Sequence, residues 1–419
     1  MEPRRFDVVT RMLQTRLTMV RRQRMAFPLL AYAFATIMLG TTMPTPMYAL
    51  YAERMHFAVL TTTVIYATYA GGVLAALLLF GRWSDAVGRR PVLLVGVAAA
   101  LASAVVFLFA DSVPQLLAGR LLSGLSAGLF TGTATAAVIE AAPPRWRGRA
   151  TAVATVANIG GLGAGPLLAG VLVQYAPQPL HLTFVVHIAL AVLAGAAVLI
   201  APETSQRSGG IGVQRLSIPA EVRTVFLIAG FAAFAGFAVT GLFTAVAPSF
   251  LADVVGVSNH AVAGAVSCSI FAASALAQTA AGRLPSGSAV AIGCAILAVG
   301  TVILAGALHF SSLTGLIVAA VVCGIGQGIS FSRGLSAVAE RTPPSRRAEV
   351  SSAYFVIAYV AISLPVVGVG EAAQHWGLRT AGVSFSAAVT VLAIACLVAI
   401  LVEEARIARR EPAAARSRN

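Results

Sequence analysis

The decapeptide GRWSDAVGRR (Gly81–Arg90) decides how this sequence is read. It carries three arginines, one aspartate and two glycines, between an apolar run from Leu60 to Phe80 and another from Val92 to Ala110. A helix that crosses a bilayer needs ~20 mostly apolar residues. Two membrane-length helices are therefore joined by a short charged hinge. Its glycines let the two backbones approach closely. Its aspartate and arginines are costly in hydrocarbon, so the hinge lies in water at one membrane face.

Outward from the hinge the same pattern repeats. Of the 419 residues, 58% are hydrophobic and 11% charged, whereas a soluble domain carries about 25% charged residues. Membrane-length runs occur at 28–51, 60–80, 91–110, 115–138, 150–174, 181–201, 224–247, 260–281, 288–308, 313–336, 350–371 and 380–402. The expected fold is all-α, with 12 transmembrane helices. The net charge of +14 comes from arginine alone, since there is no lysine. With the amino terminus inside, 25 of the 29 arginines fall on inside segments, while Arg54 and Arg379 fall outside. That asymmetry is the positive-inside pattern and places both termini in the cytoplasm. It also argues against a nucleic-acid partner, whose binding needs a basic patch on a soluble face.

Segment 1–27 lacks the short apolar core and small-residue cleavage site of a secretory signal. Val9, Met12, Leu13, Leu17 and Val20 recur at helical spacing among arginines. An interfacial helix and a disordered basic tail both fit. Cys268, Cys294, Cys323 and Cys396 all fall inside spans without CxxC spacing and read as apolar fillers. No metal site and no cofactor are expected.

The chain divides in two. A linker over 202–223, rich in serine and glycine, separates a bundle of six spans (28–201) from a second six (224–402), and 403–419 form a cytoplasmic tail. Glu140-Ala-Ala-Pro143-Pro144 recurs as Glu340-Arg-Thr-Pro343-Pro344, and Gly124 and Gly128 recur as Gly324 and Gly328, all offset by 200 residues. The hinge has a degenerate partner in Gly282-Arg283-Leu284, which lacks the aspartate. Six-helix halves of like orientation imply a pseudo-two-fold axis along the membrane normal and a substrate path between them.

With these motifs in view, the chain resembles the major facilitator superfamily over residues 28–402, and within it the 12-helix drug–proton antiporters. Gly81, Asp85, Gly88, Arg89 and Arg90 match the family's loop G-x-L-a-D-R-x-G-R-R, with Trp83 in place of the leucine and Ala86 in place of the first arginine. The resemblance implies that Asp85 interacts with the other half and latches the cytoplasmic side in the outward-open state, and that the later arginine of the hinge pairs with Glu140 at the end of the fourth helix. Arg120, in LAGRLLSGLSAG (Leu117–Gly128), resembles a family arginine tied to proton coupling. Gly161, Gly165, Pro166 and Gly170 resemble the signature g-x-x-x-G-P-x-x-G-G of drug–proton antiporters, with Ala169 in place of one glycine. The pattern Leu39–Pro46 adds a weaker likeness to a family first helix.

Polar and aromatic residues inside spans are candidates for lining the path: Tyr32, Tyr48, Tyr66, Tyr69, Asn158, Gln278, Gln327, Arg333, Tyr354 and Tyr359. Together they describe a mostly apolar cavity for an amphipathic molecule. Proton coupling needs a group that gains and loses a proton. The first, fifth and seventh spans hold no carboxylate, which leaves His187 and Glu371 as candidates. The expected function is proton-coupled efflux of small amphipathic organic compounds across the cell's inner (cytoplasmic) membrane. A metabolite uptake symporter or facilitator is the alternative. A remoter one is an intramembrane hydrolase using Ser126, since Gly124–Gly128 matches G-x-S-x-G. That elbow belongs at a strand-to-helix turn, and here it lies mid-span.

Overall fold

The structure, a computed structural model, describes residues 25–207, 210–214 and 216–416. Residues 1–24, where an interfacial helix or basic tail was expected, lie outside the described residues. Among those described there is no strand, and 12 helices are long and apolar enough to cross a membrane. They are α1 (Met25–Met55), α2 (Val59–Phe80), α3 (Arg89–Leu108), α4 (Val113–Glu140), α5 (Pro144–Tyr175), α6 (Pro179–Ile200), α7 (Ala220–Ala245), α8 (His260–Arg283), α9 (Ser288–His309), α10 (Leu313–Arg341), α11 (Pro344–Trp376) and α12 (Leu378–Arg406).

Local chemistry sets the helix ends. Ser112 and Gln115 form a capping box at the start of α4, and Ser312 caps α10 at the equivalent place by accepting the Gly315 N–H. Helices α5 and α11 begin at Pro144 and Pro344, a turn or more before the apolar runs at 150 and 350. Proline needs no N–H partner in a first turn, so the arginine-bearing segments after it are drawn into the helices. Helix α1 breaks near its far end, where Pro44 and Pro46 impose a short tight turn before Tyr48.

Packing repeats between the halves. Helix α4 is held by α2 and α3, and α3 also holds α6; α10 is held by α8 and α9, and α9 also holds α12. The recurring glycines make the same contact twice. A Cβ on Gly124 or Gly128 would collide with the α2 backbone or Ala76. One on Gly324 or Gly328 would collide with the carbonyls of Ile270 or Ser274 on α8. Small residues thus let the fourth helix of each half lie against the second.

Two seams join the halves, α5 against α8 and α2 against α11. On α5 the glycines alternate their targets: Gly161 and Gly165 abut α1 at Ala35 and Leu39, whereas Gly163 and Gly170 abut α8 at Phe271 and His260. Gly264 of α8 answers by abutting Pro166. At the face remote from the hinge, one continuous apolar core draws Met47, Tyr48 and Tyr66 together with Phe243, Val246 and Phe250 of α7 and its extension. The halves are closed there and part toward the arginine-rich face.

Candidate functional site: a cavity open at one face

A cavity of about 970 Å³ lies between the halves, walled by α2, α4 and α5 on one side and α8, α10 and α11 on the other. Its mouth, at the arginine-rich face, carries Gly81, Arg82, Asp85, Gly282, Ser345 and Glu349. Deeper lie Asn158, Gln278 and Arg333, with Phe331, Phe355 and Ile159 as apolar wall. Asn158 sits in a widened π-turn, Val156–Gly160, at mid-helix in α5. Such turns recur at functional sites because the extra residue re-aims the side chains around it. Two hydroxyl pairs face one another from equivalent helices, Thr131 and Thr135 on α4 and Ser332 and Ser336 on α10. Each donates to a carbonyl one turn back on its own helix. Their oxygens can still accept from a guest.

Arg120 closes the opposite end. Its side chain is 1% exposed. One Nη donates to the Thr41 carbonyl at 2.5 Å, and the Nε has no hydrogen-bond partner among the described residues. The guanidinium carbon lies 4.8 Å from the Tyr69 ring centre, 5.4 Å from Tyr66 and 5.9 Å from Tyr48. Aromatic faces attract cations electrostatically, so three rings do the work that a carboxylate would do elsewhere. Tyr66 reaches Thr244 of α7, and the Tyr69 ring stands edge-on to Tyr359 of α11 at 6.5 Å. The cage around Arg120 therefore spans both halves. His187 is buried on α6 against Gly40, and its Nδ1 has no partner among the described residues. Residues 40 and 41 of α1 thus lie between His187 and Arg120.

The hinge is an ion-pair network. Arg89 bonds Asp85 at 2.6 Å and Glu140 at 3.1 Å, and donates to Ser84 Oγ at 2.7 Å. Thr204 donates to the second oxygen of Glu140. Arg90 points elsewhere, donating to the Leu199 carbonyl at the end of α6. Gly88 has φ +108°, a conformation side-chain-bearing residues avoid, and a Cβ there would meet the Glu203 carboxylate at 2.5 Å. The glycine clears room for Glu203 to accept the backbone N–H groups of Arg89 and Arg90 at 2.8 and 3.1 Å. An anion here faces the positive end of α3. Burial pushes the Glu203 carboxyl up, but N–H bonds from Ser205, Arg89, Arg90 and Thr204 outweigh it and hold it below the usual glutamate range.

Of the residues singled out from the sequence, the cavity gathers Gly81, Asp85, Asn158, Gln278 and Arg333. Others lie elsewhere. Tyr32 is 36% exposed on the outer surface and donates to the Leu190 carbonyl of α6. Gln327 accepts from Ser274 between α8 and α10, and Tyr354 is buried among Phe226 and Phe331 in the second half. Polarity alone cannot tell an interhelical bond from a wall, which is why these stood beside the lining residues in the sequence. Glu371 lies exposed toward the closed face, bonded to His375 at 3.1 Å. Ser126 donates to the Gly96 carbonyl of α3, so it is a helix-packing contact. Glu203 and the hydroxyl pairs went unnoticed in the sequence. The i, i+4 hydroxyls at 131/135 and 332/336, one per half, were a readable sign.

The comparisons with known proteins agree with this architecture. In solved structures, the fold resembles a bacterial homolog of the human lysosomal transporter Spinster, in an inward-facing and unoccupied conformation, with TM-score 0.72 and 16% identity over 90% of this chain and 97% of that one. It also resembles the nucleoside transporter NupG, with TM-score 0.70 and 13% identity over 90% and 99%. Among curated sequences, the class D tetracycline resistance protein of Salmonella ordonez is 35% identical over 128 residues, 29% of this chain and 30% of that protein. An MFS-type transporter of Aspergillus terreus (strain NIH 2624 / FGSC A1156) is 26% identical over 166 residues, 36% of this chain and 30% of that protein. The chain thus matches less than a third of the length of these curated relatives. The family model for the Major Facilitator Superfamily matches residues 30–366, which spans the first bundle and the second as far as most of α11. Twelve spans in two like halves, a cleft between them and this match make the chain a multi-pass membrane transporter, not an enzyme, that belongs to the Major Facilitator Superfamily.

Proposed function

We propose that the chain exports small amphipathic organic compounds in exchange for protons, by rocking of one half against the other. The observation that carries this reading is the single cavity mouth: about 970 Å³ is open at the arginine-rich face and sealed at the other by the tyrosine–arginine cage. By the arginine count that face is cytoplasmic, with both termini there and the cell's inner membrane as the setting. A volume of this size fits a drug-sized guest, and Phe331, Phe355 and Ile159 suit its apolar part. Relatives named as tetracycline resistance proteins support outward transport of an organic compound.

With the cytoplasmic side open, Asp85, Arg89 and Glu140 pair within the first half; on closure Asp85 would leave Arg89, turn to the second half and latch that side. Because water can replace either partner near the surface, such pairs rearrange at little cost. The fifth-helix glycines Gly161, Gly165 and Gly170 with Pro166 would form the sliding seam. For coupling, the arrangement favours His187 with Arg120, which meet at residues 40–41, over Glu371, which stands outside the cavity.

The test is transport in proteoliposomes holding the purified full chain under an imposed pH gradient, with a panel of fluorescent organic compounds. The reading expects movement against a concentration gradient, driven by protons flowing the other way. It expects His187→Gln to keep downhill movement and lose the response to the gradient. Gradient-independent movement in the wild type would mark a facilitator. Compound and proton moving together would mark an uptake symporter.

A further inference from the structure

We infer that the compounds this cavity accepts are organic anions, held by the Arg333 guanidinium. This rests on the transport reading and gives its substrate a charge. Among the described residues, the aspartate, glutamate and arginine side chains lying well inside a membrane span, more than a turn and a half from its ends, are Arg120 and Arg333; the histidine that meets the same criterion, His187, is buried on α6 away from the open cavity. Both arginines are positive. Glu140, Glu340, Glu349 and Glu371 all sit close to helix ends. A charge inside the membrane is expensive and marks function by default.

The two arginines occupy the fourth helix of their halves, but at different depths. The 200-residue repeat would place the partner of Arg120 at Ala320, thirteen positions before Arg333. At the helical rise this is ~20 Å along the membrane normal. One charge is therefore enclosed by tyrosines on the sealed side, and the other lines the open cavity. A guest crossing from one face to the other passes positive groups at both levels.

The wall around Arg333 is matched to an anion. The only carboxylates lining the cavity, among the described residues, are Asp85 and Glu349. Both stand at the mouth, and both are already committed to arginines, Arg89 and Arg346. Deeper, the polar lining is hydroxyls and amides, Thr131, Thr135, Ser332, Ser336, Asn158 and Gln278 among them, with the guanidinium. A guanidinium offers five donors in a planar fork suited to carboxylate or sulfonate. An ammonium guest would meet a like charge with no carboxylate at that depth to offset its lost hydration. Phe331 and Phe355 on the same wall take the apolar body.

The experiment uses the full-length protein in lipid nanodiscs and three guests with one aromatic body: naphthalene-2-carboxylate, 2-naphthylmethanol and 2-naphthylmethylammonium. Affinities are read by isothermal titration. The carboxylate is expected to bind at least about tenfold more tightly than the ammonium compound. Arg333→Gln should remove that advantage and leave the alcohol within about twofold, while Arg333→Lys should keep part of it. An ammonium guest bound as tightly as the carboxylate in the wild type overturns the inference, whether or not any variant folds. So does a carboxylate preference that survives Arg333→Gln in a monodisperse variant. The transport reading fails separately. Proton-driven movement of the ammonium compound would refute the anion and keep the exporter. Arg333-dependent carboxylate binding with no proton-linked movement of any of the three would do the reverse.

Discussion

Arg120 is held in a way that separates structure from function at a single residue. Its charge is stripped of water and met by one carbonyl and three aromatic faces rather than by an acid. Because no acid is left unpaired, replacing Arg120 by an apolar side chain removes the cost of burying its charge together with these contacts, and the two largely offset. Arg120→Met is therefore expected to keep thermal stability within about 1 kcal/mol of the wild type and to abolish gradient-driven transport. A variant that transports normally would make the arginine a mere packing residue. Glu203 gives the opposite kind of prediction. Its carboxyl is held below the usual range by backbone N–H groups, so its contribution is full above that range and is lost as pH falls through the lowered value. Glu203→Gln should cost on the order of 0.5–1 kcal/mol near neutrality. In thermal unfolding from pH 3 to 8, the gap between wild type and variant should narrow below about pH 4. A gap constant to pH 3 would contradict the assignment. Arg120 was legible in the sequence because a span rarely tolerates arginine. Its cage was not, since Tyr48, Tyr66 and Tyr69 converge only when α1 and α2 fold back on α4. Glu203 was hidden for a simpler reason: an acid in a serine- and glycine-rich linker looks like solvent-facing chain until Gly88 makes room for it.

At the scale of the helix, the glycines of α5 read in one dimension as a stripe and in three as two faces. Gly161 and Gly165 serve α1 within the first half, while Gly163 and Gly170 serve α8 across the seam. The distinction makes a prediction. Gly170→Val would drive a side chain into the His260 carbonyl, at an overpacking cost of about 1–3 kcal/mol. Because this contact joins the halves, the damage should appear as transport reduced tenfold or more, with the protein still monodisperse. A Cβ on Gly368 of α11 would meet nothing within 4 Å. There, Gly368→Ala should gain up to about 1 kcal/mol in helix stability and leave transport unchanged. Equal effects at the two sites, read by thermal unfolding and transport together, would dismiss the seam. Helix identity was legible from hydropathy at every span, because hydrocarbon admits little else. Helix starts were less so. The apolar runs begin at 150 and 350, but the second proline of the Pro143–Pro144 and Pro343–Pro344 pairs opens each helix earlier, because the arginine-rich turns between carry no hydropathy signal.

For the whole molecule, the repeat at 200 residues translated directly into matched packing, α2 and α3 on α4 and α8 and α9 on α10. What the repeat could not convey is the state. Two like halves can lean either way, and a sequence describes both. The lean arises from side chains that meet only across the halves: Tyr66 with Thr244, Tyr69 with Tyr359, and the shared core of Met47, Tyr48 and Phe243. These close one face and leave the other open around Asn158, Gln278 and Arg333. The account's central claim is that the two faces open in alternation. Spin-label pairs, in a background without the four native cysteines, test it most directly. One pair, Arg82→Cys with Arg283→Cys, flanks the cavity mouth, and the other, His56→Cys with Ser258→Cys, lies in loops at the sealed face. On addition of a transported compound under a pH gradient, the first distance should shorten as the second lengthens; two distances that stay fixed, or that change in the same direction, would contradict the account.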